Sequence, residues 1–128
     1  MADLRAYLAD ASSRPFCYGA HDCCTVAAGW VQAATGRDVL RGHSYANLRD
    51  GLRQLAAHGL SGHVDIFARV LPQIATLRLV AGDIAVLDGF DLPALGIVQP
   101  GGESVWCFGP DGAGTVPLTA AKYGFRAA

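Results

Sequence analysis

No run of this sequence is long and apolar enough to cross a bilayer. The longest uncharged stretch, Cys23 to Gly36, falls short of the roughly 20 residues that a spanning helix needs, and it contains Gly29 and Gln32. No apolar leader opens the chain either. "MADLRAYL" is an amphipathic start, so the expectation is a soluble protein made in a cytoplasm. Neither sign of charge dominates: ten Lys and Arg stand against eleven Asp and Glu, for a net charge of -1. The basic residues are scattered, which argues against nucleic acid and against an anionic membrane surface as partners. Cysteine is too scarce for a disulfide scaffold, and Cys17, Cys23, Cys24 and Cys107 read as reduced thiols. The Cys-x2-Cys pairs of zinc sites are missing, and helix neighbours point about 100° apart, so Cys23 and Cys24 make poor joint ligands. No metal and no cofactor is expected. Phosphate loops, internal repeats, low-complexity tracts and linkers are also absent.

What is present is a greasy composition, 52% hydrophobic and 16% charged, in 128 residues. That length suits a single domain over residues 1–128. Asp3 caps an expected first helix through about Ala11, with Leu4, Tyr7 and Leu8 on one face. Arg14-Pro15 breaks it. A second helix is predicted from Asp22 or Cys23 to Thr35, stopped by Gly36, with Cys23, Ala27, Trp30, Val31 and Ala34 on its packed face. "ANLRDGLRQLAAHG" places Leu48, Leu52 and Leu55 at helical spacing, and "HVDIFARVL" predicts a short helix before Pro72. After Ala81 the pattern changes to strands: "GDIAVLDG", "ALGIVQ", "ESVWCFG", then one last short strand and a tail. Helices first and strands after predict an α+β fold with an antiparallel sheet. In "ESVWCFG", Trp106 and Phe108 share one face, and Val105 and Cys107 share the other. With one face in the core, the other is left to solvent or a partner.

The chemistry concentrates at residues 14–36. Cys23 opens the second helix, where unpaired N–H groups and the macrodipole favour a thiolate. Asp22 before it is a good N-cap. The structural alternative is equally concrete, since free cysteine on an Ala-rich helix face is commonly a small buried hydrophobe. A cysteine nucleophile needs a base within hydrogen-bond reach, and His21 is the one histidine nearby in sequence. The alternative for His21 is a backbone hydrogen bond or solvation, and His43, His58 and His63 default to the surface. Asp83, Asp88 and Asp91 read as turn residues, and Gly101-Gly102 and Gly112-Ala113-Gly114 as hairpin glycines.

"YGAHDCCTVAAGWVQAATG" resembles the cysteine motif of the NlpC/P60 peptidases, papain-like enzymes that cut peptidoglycan stem peptides. It resembles most the small members encoded among the tail genes of tailed bacteriophages and gene-transfer particles. Tyr18-Gly19, Asp22-Cys23 and Gly36 carry the match, and Gly82-Asp83 with Gly96-Ile97 carry a second block. The resemblance covers roughly residues 14–36 and 81–108. It implies a papain-like NlpC/P60-type fold, helices packed on a small antiparallel sheet, with Cys23 at the nucleophile position. The family's base histidine falls on Ala94, and its orienting polar residue would come from the next strand, where Glu103 and Ser104 stand only at the edge.

Two functions follow from the resemblance. One is a tail-tip protein with a degenerate catalytic site and a structural or assembly role. The other is an active peptidoglycan endopeptidase with Cys23 as nucleophile and His21 as base. Either implies other tail proteins or peptidoglycan as partners, and a virion location after synthesis in a bacterial cytoplasm.

Overall fold

The computed structural model describes residues 2–41, 44–60, 62–88 and 94–127. Among these residues four α-helices come first: α1 (Leu4–Ser13), α2 (Cys23–Thr35), α3 (Leu48–Ala57) and the short α4 (Val64–Ala68). Six strands follow: β1 (Gln73–Ile74), β2 (Ile84–Leu87), β3 (Ala94–Val98), β4 (Ser104–Gly109), β5 (Gly112–Pro117) and β6 (Tyr123–Phe125). They form one antiparallel sheet in the order β1-β6-β2-β3-β4-β5. The fold is α+β, as the change of pattern along the chain predicted. None of its helices is long and apolar enough to cross a membrane among the described residues.

Local signals explain most of these elements. The Asp3 carboxylate accepts from the Ala6 N–H and starts α1, and Asn47 caps α3 by accepting from the Asp50 N–H at 2.8 Å. Gly36, at φ +80°, closes α2 in the left-handed conformation that glycine adopts without strain. The last third of the chain differs from expectation. Two strands, β5 and β6, stand where one was predicted, separated by a 3-10 turn at Leu118–Ala120. β5 reads Gly-Ala-Gly-Thr-Val-Pro, lies exposed at the sheet edge and has no alternating apolar face to announce it. Its pairing with β4 creates it. Of the hairpin glycines, Gly101 and Gly102 have positive φ between β3 and β4, Gly112 has positive φ as the first residue of β5, and Gly114 lies within β5.

The core lies between α2 and one face of the sheet. Ile84, Val86, Leu95, Ile97, Trp106 and Phe108 alternate onto that face and pack with Ala27, Trp30, Val31 and Phe67. Tyr7 packs its ring against Trp30 and donates to the Val26 carbonyl at 2.6 Å. Its burial pushes the phenol up to about 12. The Trp106 indole donates to Ser12 Oγ, tying α1 to β4. α2 is buried over a wider arc than the single predicted face: Cys24, Val26 and Ala28 are inside, while Ala34 is exposed. Gly96 belongs to the β3–β4 contact, because a Cβ there would meet Val105 Cγ1 at 2.5 Å and the Trp106 carbonyl oxygen at 2.7 Å.

The second face of the sheet is not free, contrary to the sequence expectation. Val105 joins Leu79, Ala85, Leu87, Val98 and Ala121 in a separate buried cluster, with Cys107 packed against it. The chain's own 3-10 turns cover this face. Asp83 also does more than punctuate a turn. It is buried, and its carboxylate accepts from the Val80 N–H, the Arg126 guanidinium at 3.1 Å and the Ala127 N–H. The end of the chain is thereby held to the start of β2. Asp88 pairs with Lys122 at the surface, and Asp91 lies outside the described residues.

Candidate functional site

The loop before α2 is tied back on itself. Cys17 and His21 form an antiparallel bridge, with the Cys17 N–H donating to the His21 carbonyl and the reverse. Gly19 turns the chain at φ +86° and donates its N–H to Asp22 Oδ2 at 2.8 Å. Asp22 Oδ1 accepts from the Thr25 N–H at 2.8 Å, and Thr25 Oγ1 accepts from the Asp22 N–H, which completes a capping box. The Tyr45 hydroxyl donates to the same Oδ2. Asp22 is 3% exposed. The predicted N-cap is therefore also a buried carboxylate anchoring three donors, from its own helix, from the loop and from residue 45.

Cys23 is the first residue of α2 and is half-buried. The lowered thiol expected at a helix start is not what results. Burial pushes the Cys23 thiol above its ordinary range, against the backbone amide of Leu95, and the Asp22 charge adds to the rise. Desolvation of the anion outweighs the dipole. Among the described residues no imidazole is one of the groups that shift it. Cys24 is buried and is also pushed up, by burial first and then by Asp22, although the Tyr45 hydroxyl opposes the rise. Tyr45 itself is raised, again chiefly by burial. Cys17 is exposed, and Cys107 is half-buried on β4. No group of three metal-ligating side chains forms among the described residues.

These protonation preferences set an expected labelling order. Iodoacetamide at neutral pH modifies Cys17 first, while Cys23 and Cys24 lag by at least about tenfold until denaturant is added. The raised thiols keep their protons in the native state where the unfolded chain has lost them. That contribution to stability is present below the ordinary thiol range and fades as the pH climbs through it. Mass mapping of alkylated peptides measures the labelling order, and early modification of Cys23 at neutral pH would contradict it; urea unfolding at a series of pH values measures the loss of stability.

Cys23 lines a cavity of about 370 Å³. One wall is the start of α2, with Asp22, Cys23 and Cys24. Another is the apolar side of α3, with Leu48, Leu52 and Leu55. Ala94 at the start of β3 and Phe108 at the end of β4 complete it, and Tyr45, His58 and His63 also face the space. The cavity went unseen in the sequence, where His58 and His63 were assigned to the surface. His58 is exposed at the end of α3 and His63 half-buried before α4, yet both contribute to this wall. His43 lies outside the described residues. The one available signal was the leucine stripe of α3, a helix with no buried residue.

His21 takes a different place. Its Nε2 lies 2.9 Å from the Ala11 carbonyl oxygen, and its ring stands edge-on to Phe108. A carbonyl oxygen only accepts, so Nε2 is the donor in this contact. His21 is not among the side chains that line the cavity. Glu103 is exposed, and Ser104 donates to the Gln99 side chain at 2.6 Å. Both stand at the opposite end of β4 from Phe108. Sequence adjacency thus brought Asp22 and Cys23 to the cavity and left His21 outside it.

The family model described as Domain of unknown function (DUF6950) matches residues 1–127, and the chain belongs to that family. No curated protein matches it.

Proposed function

We propose that this DUF6950 member is an NlpC/P60-like, papain-type domain of the tail tip of a phage or gene-transfer particle, with a structural or assembly role and a degenerate catalytic site. One observation carries the reading. Cys23 at the start of α2 and Ala94 at the start of β3 line the same cavity, and these are the positions at which the resemblance puts nucleophile and base. Alanine neither takes a proton from the thiol nor returns one to an amine leaving group. A thiol raised by burial is a poor nucleophile without that help. His21, held against the Ala11 carbonyl, does not replace the missing imidazole at the cavity wall.

A second reading, an active peptidoglycan endopeptidase, draws on the presence of His58 and His63 on the cavity that holds Cys23. Digestion of purified muropeptides separates the two. The wild-type protein is expected to release no cleaved stem peptide. Ala94→His is expected to raise the alkylation rate of Cys23 at neutral pH about a hundredfold, the low end of a general-base contribution. Cleavage by the wild type that disappears in Cys23→Ala, with folding intact, establishes the enzyme reading instead. Proteomics of purified particles tests the other half: a structural tail part is present in fixed stoichiometry, and its absence from particles refutes that role.

A further inference from the structure

α3 spends its apolar face on no protein core. Leu48, Leu52 and Leu55 fall on one side of the helix, yet no residue of α3 is buried. Leu48 and Leu52 remain 40% and 41% exposed. An amphipathic helix normally hides such a stripe, because each leucine gains roughly 1.5–3 kcal/mol when fully removed from water. Here the stripe forms one wall of the 370 Å³ cavity, and Leu40, Ile66 and Phe108 stand on the others. That volume lies in the range of small-ligand sites, roughly 300–1,000 Å³.

Few charged groups reach the space, and they differ in what they have left to offer. The Asp22 carboxylate is already committed to Gly19, Thr25 and Tyr45. The Arg69 side chain also lines the cavity, and its guanidinium makes no hydrogen bond or ion pair among the described residues. His58 and His63 stand on the same wall and add to its basic character when protonated. Among the described residues that line this apolar space, Arg69 supplies the guanidinium left to pair with a ligand.

We propose that the cavity binds a small anionic amphiphile, a single aliphatic chain ending in a carboxylate, with the chain against the α3 leucines and the carboxylate paired with Arg69. Aliphatic contact supplies the affinity, and a guanidinium–carboxylate fork fixes the orientation. The occupant buries the leucine stripe that the described residues leave partly exposed. The assignment holds whether or not Cys23 is catalytic.

Calorimetric titration of the full chain with decanoate, kept below its micelle concentration, tests it. Decanol and decyltrimethylammonium serve as neutral and cationic comparisons. Decanoate is expected to bind and to raise the melting temperature, more strongly than decanol and far more strongly than the cation. Leu52→Glu, at an exposed position that leaves folding intact, is expected to abolish binding. Arg69→Glu is expected to weaken decanoate about tenfold or more, the scale of a hydrogen-bonded ion pair, while changing decanol little. Absence of decanoate binding to the folded wild type overturns the proposal. So does equal binding of the cation, or an Arg69→Glu protein that binds decanoate unchanged.

Discussion

Replacing Asp22 with alanine is expected to cost about 3–4 kcal/mol of stability and to lower Tm by roughly 10–15 °C. An ordinary N-cap contributes about 0.5–2 kcal/mol. Asp22 goes beyond that because its carboxylate is buried and also holds the Gly19 N–H and the Tyr45 hydroxyl. Alanine leaves both of those donors without their acceptor, and a buried donor left unpaired costs about 1–3 kcal/mol. The separate losses do not add, since one relaxation serves all three. Asp22→Asn keeps one acceptor oxygen but turns an NH₂ toward a donor, so an intermediate loss is expected. Urea unfolding of the three proteins gives the values directly. A loss below about 1 kcal/mol in Asp22→Ala would mean that the carboxylate only caps its helix.

Gly19→Ala is expected to be comparably damaging, by about 3 kcal/mol, for reasons of shape rather than charge. Its backbone sits at φ +86°, where a side chain is strained by about 1–2 kcal/mol. A Cβ there would also overlap the Tyr45 carbonyl oxygen, a backbone atom that cannot swing aside. Residue 45 must retreat, and its hydroxyl then loses Asp22. Gly36 provides the internal comparison: it has the similar φ of +80°, but nothing lies within 4 Å of an added Cβ. Gly36→Ala should therefore cost only the backbone strain. Because Gly19 and Asp22 secure the same segment, the double variant Gly19→Ala/Asp22→Ala should lose less than the sum of the two. Full additivity by thermal unfolding would show that residue 45 is not what joins them.

The same two residues show how far the sequence reaches. The order Tyr18-Gly19, Asp22-Cys23, Gly36 identified the turn, the cap and the helix, because each is a local hydrogen-bond requirement visible within four residues. Tyr45 was invisible for the opposite reason. It bonds to Asp22 across 23 positions, and nothing in "RGHSYANL" marks a tyrosine that folds back.

By itself the sequence determined the helices capped by Asp3, Asp22 and Asn47 and the alternation of β2, β3 and β4. It also determined the segregation of these elements into an α+β chain. Capping and side-chain periodicity are short-range properties, so residue order suffices for them. Tertiary structure alone decided the edge strand β5, the cover over the second sheet face, the Asp83–Arg126 latch and the cavity. It also reversed the direction in which the Cys23 thiol is shifted. A helix start favours an anion by its local dipoles, but the cost of desolvating that anion depends on how closely the remote chain encloses the sulfur, and here that cost is the larger even with the Leu95 backbone amide opposing it.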